Sequence, residues 1–494
     1  MNAIARLDHA HVWHPFTQMR DWLRTEPLVL VEGQGAVLRD IRGREYLDAN
    51  SSIWTNLHGH NHPKINAAIR AQLGKVAHTS SLGFANEPAS RLAAELVRIA
   101  APTRIGRRNS GTSHDRQLNK VFFSDDGSTA VEVALKLAYE YTRRTRGPNS
   151  RPRFLAIKGA YHGDTVGAVS LGHIDLFHRA FSGLLFRSDS VMAPYCYRCP
   201  FNRAKPERAD ARSYRRCNWE CVGKVETTLA KAAKLRKPYA GFVFEPRMQG
   251  AAGMIPQPDG WLQRVTELGR AHGALLIADE VMTGFGRTGT GPVQGRSPRA
   301  SSSLGAQSLF ACQQENVSPD FLCVAKGLTG GYLPMAATLT TDAVFGAFLG
   351  EYAEFKSFFH GHSFTGNQLG AAAALASLEL LKPARGVTAR RKLENTLHKG
   401  LDRLWELPQV GDIRQIGLVA GVELVRHWQT KEPFALEERA GIRVCEAMAK
   451  RGVLTRPIGN VLVLMPPYCT TPQQLARMTD AMAESIAEVF PRSA

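Results

Sequence analysis

From about residue 120 onward, short apolar runs alternate with longer stretches whose apolar residues recur at helical spacing. Val121–Phe123, Phe154–Ile157, Gly241–Phe244, Ala274–Ala278 and Phe321–Ala325 have the length and composition of strands, and Ala336–Thr340 adds one more. Ser128 to about Arg143 and residues 258–272 carry the helical period. This alternation predicts an α/β fold, with a mostly parallel sheet covered by helices on both faces. Ahead of it, Leu28–Val31, Ala36–Leu38 and Tyr46–Asp48 are short apolar runs separated by turn residues at Gly33–Gly35 and Arg42-Gly43. They predict a small antiparallel sheet behind an N-terminal arm. Helices are expected over 63–75 and 87–100. Beyond about residue 370 the pattern is a long Ala/Leu-rich helix, then a mixed αβ region with strands near 417–424 and 461–465.

At 494 residues the chain exceeds one simple core. The expected division is an arm and part of a small domain over 1–62, a large domain over 63–345, and the rest of the small domain over 346–494. Insertions fall at about 103–119, 196–222 and 291–308, of which the first and third read as surface loops rich in Ser, Gly, Arg and Pro. A net charge of +18 raises the question of an acidic partner. The basic clusters lie in insertion-like segments, Arg104–Lys120 and Arg198–Arg216, and neither interleaves aromatic with basic residues, so no nucleic-acid partner is expected. No apolar stretch is long enough to cross a bilayer, and the N-terminus has no long apolar core of a signal peptide. Eight cysteines in such a chain read as free thiols in a reducing cytoplasm. Cys196-x2-Cys199 and Cys217-x3-Cys221 have a spacing that admits zinc. The reading adopted is a loop with free thiols and no metal.

Four places carry candidate chemistry. Lys326 ends an apolar strand and is followed by Gly327, Gly330 and Gly331. Burial there lowers an amine's pKa and suits it to Schiff-base formation with a carbonyl cofactor, though a strand-end lysine also simply reaches for water. Ser124-Asp125-Asp126-Gly127-Ser128-Thr129 lies between a strand and a helix, which makes it either an anion cradle or an ordinary N-cap. Tyr161, just past another strand, is an aromatic able to lie on a planar ring or to fill a tight turn. Asp279 ends the strand Leu275–Ala278, where a buried carboxylate needs a cation: a protonated pyridine nitrogen, a metal or a structural ion pair.

Taken in order along the chain, these residues make a set, and with it the sequence resembles the fold-type-I pyridoxal-phosphate enzymes of class III, the aminotransferases. The resemblance runs from Trp13 to about Tyr468. It includes Trp13-His14-Pro15-Phe16-Thr17, Ser51-Ser52-Ile53-Trp54, the run from His360 to Asn367, and Thr455-Arg456-Pro457-Ile458-Gly459. It implies a seven-stranded, mostly parallel sheet and pyridoxal 5'-phosphate as cofactor. By the same resemblance Lys326 binds the cofactor aldehyde and moves the substrate proton, Asp279 pairs with the pyridine nitrogen, and Tyr161 lies at the ring. Gly127 and Ser128 hold the phosphate, joined by His362 and Ser363 from a neighbouring subunit, so a homodimer with active sites at the interface is implied. Phe16, Trp54, Gly361 and Arg456 match substrate-pocket positions, Arg456 as the partner of a carboxylate.

Within the class the resemblance is to the biotin-synthesis branch. It implies transfer of an amine to the ketone of 8-amino-7-oxononanoate, giving 7,8-diaminononanoate, with S-adenosylmethionine as donor. Ile53 and Phe16 stand where some relatives have tryptophan and tyrosine, which removes donors from the pocket and opens lysine as an alternative amino donor. Met282 stands where many class III relatives have glutamine, which argues against ornithine or aminobutyrate donors. Another class III ω-aminotransferase or an aminomutase is the remaining alternative.

Overall fold

The computed structural model describes residues 1–102, 117–289, 308–382 and 384–491. At its centre is a seven-stranded sheet in the order Leu118–Ser124, Ala336–Thr341, Phe321–Val324, Leu275–Asp279, Gly241–Phe244, Phe154–Ile157, Asp189–Val191. Only Ala336–Thr341 runs against its neighbours among these strands. The parallel strands therefore finish on one edge. Asp279 pairs with Cys323, and Ala278 pairs with Phe244, so Asp279 at its strand's end and the residues past the strand ends, Glu245, Glu280 and Lys326, lie along that edge. Ser124 ends on the same edge, because it pairs with the first residue of the reversed strand, Ala336. Ligands of open α/β sheets bind outside the carboxyl ends of the strands.

Six of the seven strands coincide with the apolar runs in the sequence. The seventh, Asp189–Val191, is too short to stand out. Of the expected surface loops, 103–116 and 291–307 lie outside the described residues, while residues 118 and 119 already belong to the first strand.

The helix Gly127–Arg146 shows how the sequence sets this layer. Asp126 accepts from the Thr129 N–H at 2.9 Å, and the Thr129 hydroxyl accepts from the Asp126 N–H at 3.0 Å, so the helix start is capped from both sides. Ala130, Val131, Ala134 and Ala138 form its buried face and pack with Phe321, Cys323 and Ala336 of the sheet. Arg143, Arg144 and Arg146 close the last turn, where positive charge meets the helix dipole favourably.

Among the described residues three smaller sheets accompany the large one, the least of them the two-stranded ladder of Met248–Gln249 with Ile255–Pro256; the other two are larger. Leu30–Gln34, Val37–Asp40 and Glu45–Asp48 are antiparallel and are extended by Val453–Leu454, parallel to Glu45–Asp48. The second joins Val410–Ile416, Val419–His427, Val461–Leu464 and Pro457–Ile458. The strand expected at 417–424 begins only after the turn at Gly417, and its partner Val410–Ile416 is not evident from the sequence. The reason is its polarity: Asp412 and Arg414 read as surface residues but are buried, with Arg414 Nη1 2.8 Å from Asp412 and 2.7 Å from Glu423.

Candidate active site

At the edge of the sheet, the start of the helix Gly127–Arg146 meets two other loops closely. A Cβ on Gly127 would fall 2.6 Å from Val281 Cγ1, so only glycine lets the helix start sit against the segment that follows Asp279. Gly163 (φ +122°) packs on Ser128, whose Oγ accepts from the Asp164 N–H at 3.2 Å. Backbone N–H groups at such a helix start, with the dipole behind them and a hydroxyl beside them, suit a phosphate.

Asp279 is buried at the next strand end. Its Oδ2 lies 2.7 Å from His162 Nδ1, and its Oδ1 accepts from the Val281 N–H at 3.0 Å. His162 is buried too, and burial alone would lower its pKa; the bond and the charge of Asp279, with Glu245 adding, outweigh this and raise it above 6.5. Its Nε2 has no partner among the described residues. Glu245 accepts from the N–H groups of Tyr161 (3.2 Å) and Gly250 (2.8 Å), while burial pushes its pKa up to about 7. Neither His162 nor Glu245 was singled out in the sequence. Glu245 carried the same signal as Asp279, a carboxylate closing an apolar strand, and His162 stood next to Tyr161. Glu280, also fully buried, accepts from the N–H groups of Ala311 and Cys312 and from the Thr283 hydroxyl, which ties the strand end to the Phe310 segment.

Linkage gives the His162–Asp279 pair a measurable sign. A histidine that binds its proton more tightly when folded stabilises fully below its unfolded pKa, near 6.5, and loses that contribution as pH rises through the raised value. The Tm of the cofactor-stripped chain is expected to fall over that window, and His162→Asn to remove this component. Identical pH profiles for the two proteins, measured by calorimetry, would contradict the assignment.

Lys326 follows its strand with φ +43°, outside the strand geometry, and opens a short 3-10 turn. Desolvation lowers its pKa, against the opposing charges of Asp279 and Glu245. Its Nζ lies 4.6 Å from the centre of the Trp54 ring. Trp54 is presented by four consecutive non-glycine residues at positive φ: Ser51 (45°), Ser52 (58°), Ile53 (122°) and Trp54 (68°). Such a run is costly and persists only where its surroundings impose it. Asp48 accepts from the Ser52 N–H (3.0 Å) and hydroxyl (3.1 Å), the buried Arg287 donates to Ser51 Oγ (3.0 Å), and Asn50 Oδ1 accepts from the Trp54 indole (2.9 Å). Trp54 also packs against a buried cluster that includes Met248 and Met282.

The remaining predicted residues are drawn in unequally. Tyr161 stacks on His178 (6.3 Å) and donates to Asp164 (2.5 Å). Phe16 reaches it through Phe177, 5.4 Å from Phe16 and 6.4 Å from Tyr161. His362 Nδ1 lies 2.8 Å from Asp125 Oδ2, beside the helix start of its own chain. Ser363 and Gly361 are exposed. Arg456 is exposed, two residues before Ile458, which packs against the same buried cluster as Trp54.

Comparison with known proteins gives this edge its context. The sequence matches the class-III aminotransferase family over residues 19–293 and 301–486. The chain belongs to that family. It is 45% identical over 98% of its length to the adenosylmethionine-8-amino-7-oxononanoate aminotransferase of Geobacter sulfurreducens, covering 97% of that protein. The crystal structure of the Methanocaldococcus jannaschii protein of the same name matches with a TM-score of 0.84 at 39% identity, covering 98% of both chains. An amine transaminase from an uncultivated Pseudomonas species, solved in its PLP-bound form, matches with a TM-score of 0.82 at 30% identity, covering 97% of this chain and 98% of that one. This class-III chain is a pyridoxal-phosphate-dependent transaminase. The site fits that cofactor on its own geometry: a helix start that glycine keeps open, a buried carboxylate at one strand end, and a desolvated amine at the next.

Proposed function

We propose that the enzyme transfers an amine to the ketone of 8-amino-7-oxononanoate, with S-adenosylmethionine as donor, in the biotin pathway. Support for the substrate comes from the names of its full-length relatives. Support for the chemistry comes from one observation, the meeting of Asp279, Lys326 and the Gly127 helix start on a single sheet edge. Pyridoxal 5'-phosphate supplies the electron sink that lets a bond at the substrate Cα break. In this reading Gly127 and Ser128 hold its phosphate and Asp279, oriented by His162, keeps its ring nitrogen charged. Lys326 binds the cofactor and carries the proton to and from the substrate carbon. Tyr161, Phe16, Trp54 and Gly361 bound the substrate, and Arg456 takes a carboxylate. Adding S-adenosylmethionine or lysine separately to the holoenzyme tests the donor: S-adenosylmethionine is expected to bleach the visible absorbance, and bleaching by lysine alone would overturn that choice.

Arg456→Ala is expected to raise KM for the carboxylate-bearing acceptor by about 10- to 100-fold, the loss of charge-assisted hydrogen bonds of about 1.5–3 kcal/mol, with less effect on kcat. An unchanged KM in steady-state assays would remove Arg456 from the pocket.

We also propose a cytoplasmic homodimer in which His362 and Ser363 approach the phosphate of the partner subunit. The support is an exposed apolar surface around them: Leu82 (87% exposed), Phe84 (72%), Phe359 (73%) and Phe364 (59%). Ser81 and Asn86 bond to the Thr365 and Gly366 carbonyls, so these two segments form one surface. Sedimentation at twice the 54.2 kDa chain mass is expected, and a monomer at working concentration would contradict it.

A further inference from the structure

Cys196, Cys199, Cys217 and Cys221, half of the chain's eight cysteines, line one small pocket together with Arg215 and Trp219. The pocket has a volume of about 10 Å³, room for a single water-sized occupant. The pairs arrive from separate pieces of chain. Cys196 and Cys199 flank a 3-10 turn, and Cys217 and Cys221 stand at the start of the helix Glu220–Lys234. All four thiols are free of disulfides. Arg215 Nη1 donates to Cys217 Sγ at 3.1 Å, and its guanidinium lies over the Trp219 ring at 4.1 Å. A fixed cation bonded to sulfur would offset the excess negative charge of a four-thiolate site.

We propose that these four cysteines bind one zinc ion as a closed, structural site. Four thiolates leave no open position for substrate, and soft sulfur ligands with an occupant of single-ion size select zinc over oxygen-seeking cations. Among the described residues no three His, Cys, Asp or Glu side chains already form a ligand set, so binding requires the four sulfurs to draw together. The ion would staple a segment with little core of its own, Cys196, Tyr197 and Ala211. That segment reaches the C-terminal sheet through Arg198, which pairs with Glu423, and Arg212, which donates to the Gln415 carbonyl at 3.0 Å.

Elemental analysis of untagged holoenzyme after dialysis tests this. About one zinc per chain is expected, and none in a Cys199→Ser/Cys217→Ser variant. Should that variant fail to fold, the native chain still decides. After chelation, added zinc is expected to protect four thiols from alkylation, and cobalt in its place to give the long-wavelength bands of a tetrahedral thiolate site. Absence of zinc from the native protein with no protection of its thiols, recovery of these cysteines as disulfides, or iron in place of zinc would each overturn the proposal.

Discussion

Lys326→Ala is expected to lower turnover by about 10⁴-fold or more. In the proposed function the side chain has two duties in one place, anchoring the cofactor and moving the substrate proton, and proton transfer by a positioned group alone contributes about 10²–10⁴-fold. Its preparation for both is visible. Burial lowers its pKa, and the Trp54 ring covers its amine while the chain around it holds φ +43°. Arginine would keep the charge but cannot act as a nucleophile, so Lys326→Arg should be as inactive as the alanine variant. Steady-state kinetics on both variants check this. Activity within tenfold of wild type in either would exclude Lys326 from the chemistry.

Asp279→Asn is the second large effect, about 10²–10³-fold in kcat, the usual scale for removing one preorganised electrostatic partner. The amide keeps the shape and can still accept from the Val281 N–H, but it cannot hold a positive charge on the cofactor ring. It also removes the charge that raises the pKa of His162, so burial returns that imidazole toward its neutral form. The two effects separate experimentally. His162→Asn leaves the carboxylate in place and should cost less than Asp279→Asn, with the loss in kcat rather than KM. Equal losses in the two variants would mean that Asp279 acts only as a structural partner of the histidine.

The sheet and its functional edge were legible because buried parallel strands are written as apolar runs, and the residue that breaks each run at its end is the one that reaches the site. Lys326 and Asp279 follow this rule, and Glu245 obeys it as well. His162 was hidden because nothing in a single histidine after a strand reveals a carboxylate 117 residues away. The turn at Ser51–Trp54 was hidden for a different reason. Ordinary residues at four successive positive φ values have no local signature, since Asp48, Arg287 and Asn50 impose that geometry through bonds made only in the fold. Val410–Ile416 was masked by its own charges, which are paired inside. The four cysteines were legible as spacing, but only the fold brings Cys217 and Cys221 to the pocket wall beside Cys196 and Cys199.

Borohydride reduction of the holoenzyme, followed by peptide mass mapping, tests the central claim most directly. Reduction should fix a phosphopyridoxyl group, one per chain, on the peptide that contains Lys326, with the absorbance of the bound cofactor shifting as it forms. The same label on any other lysine, or no covalent label on a protein that retains full activity, would contradict the account.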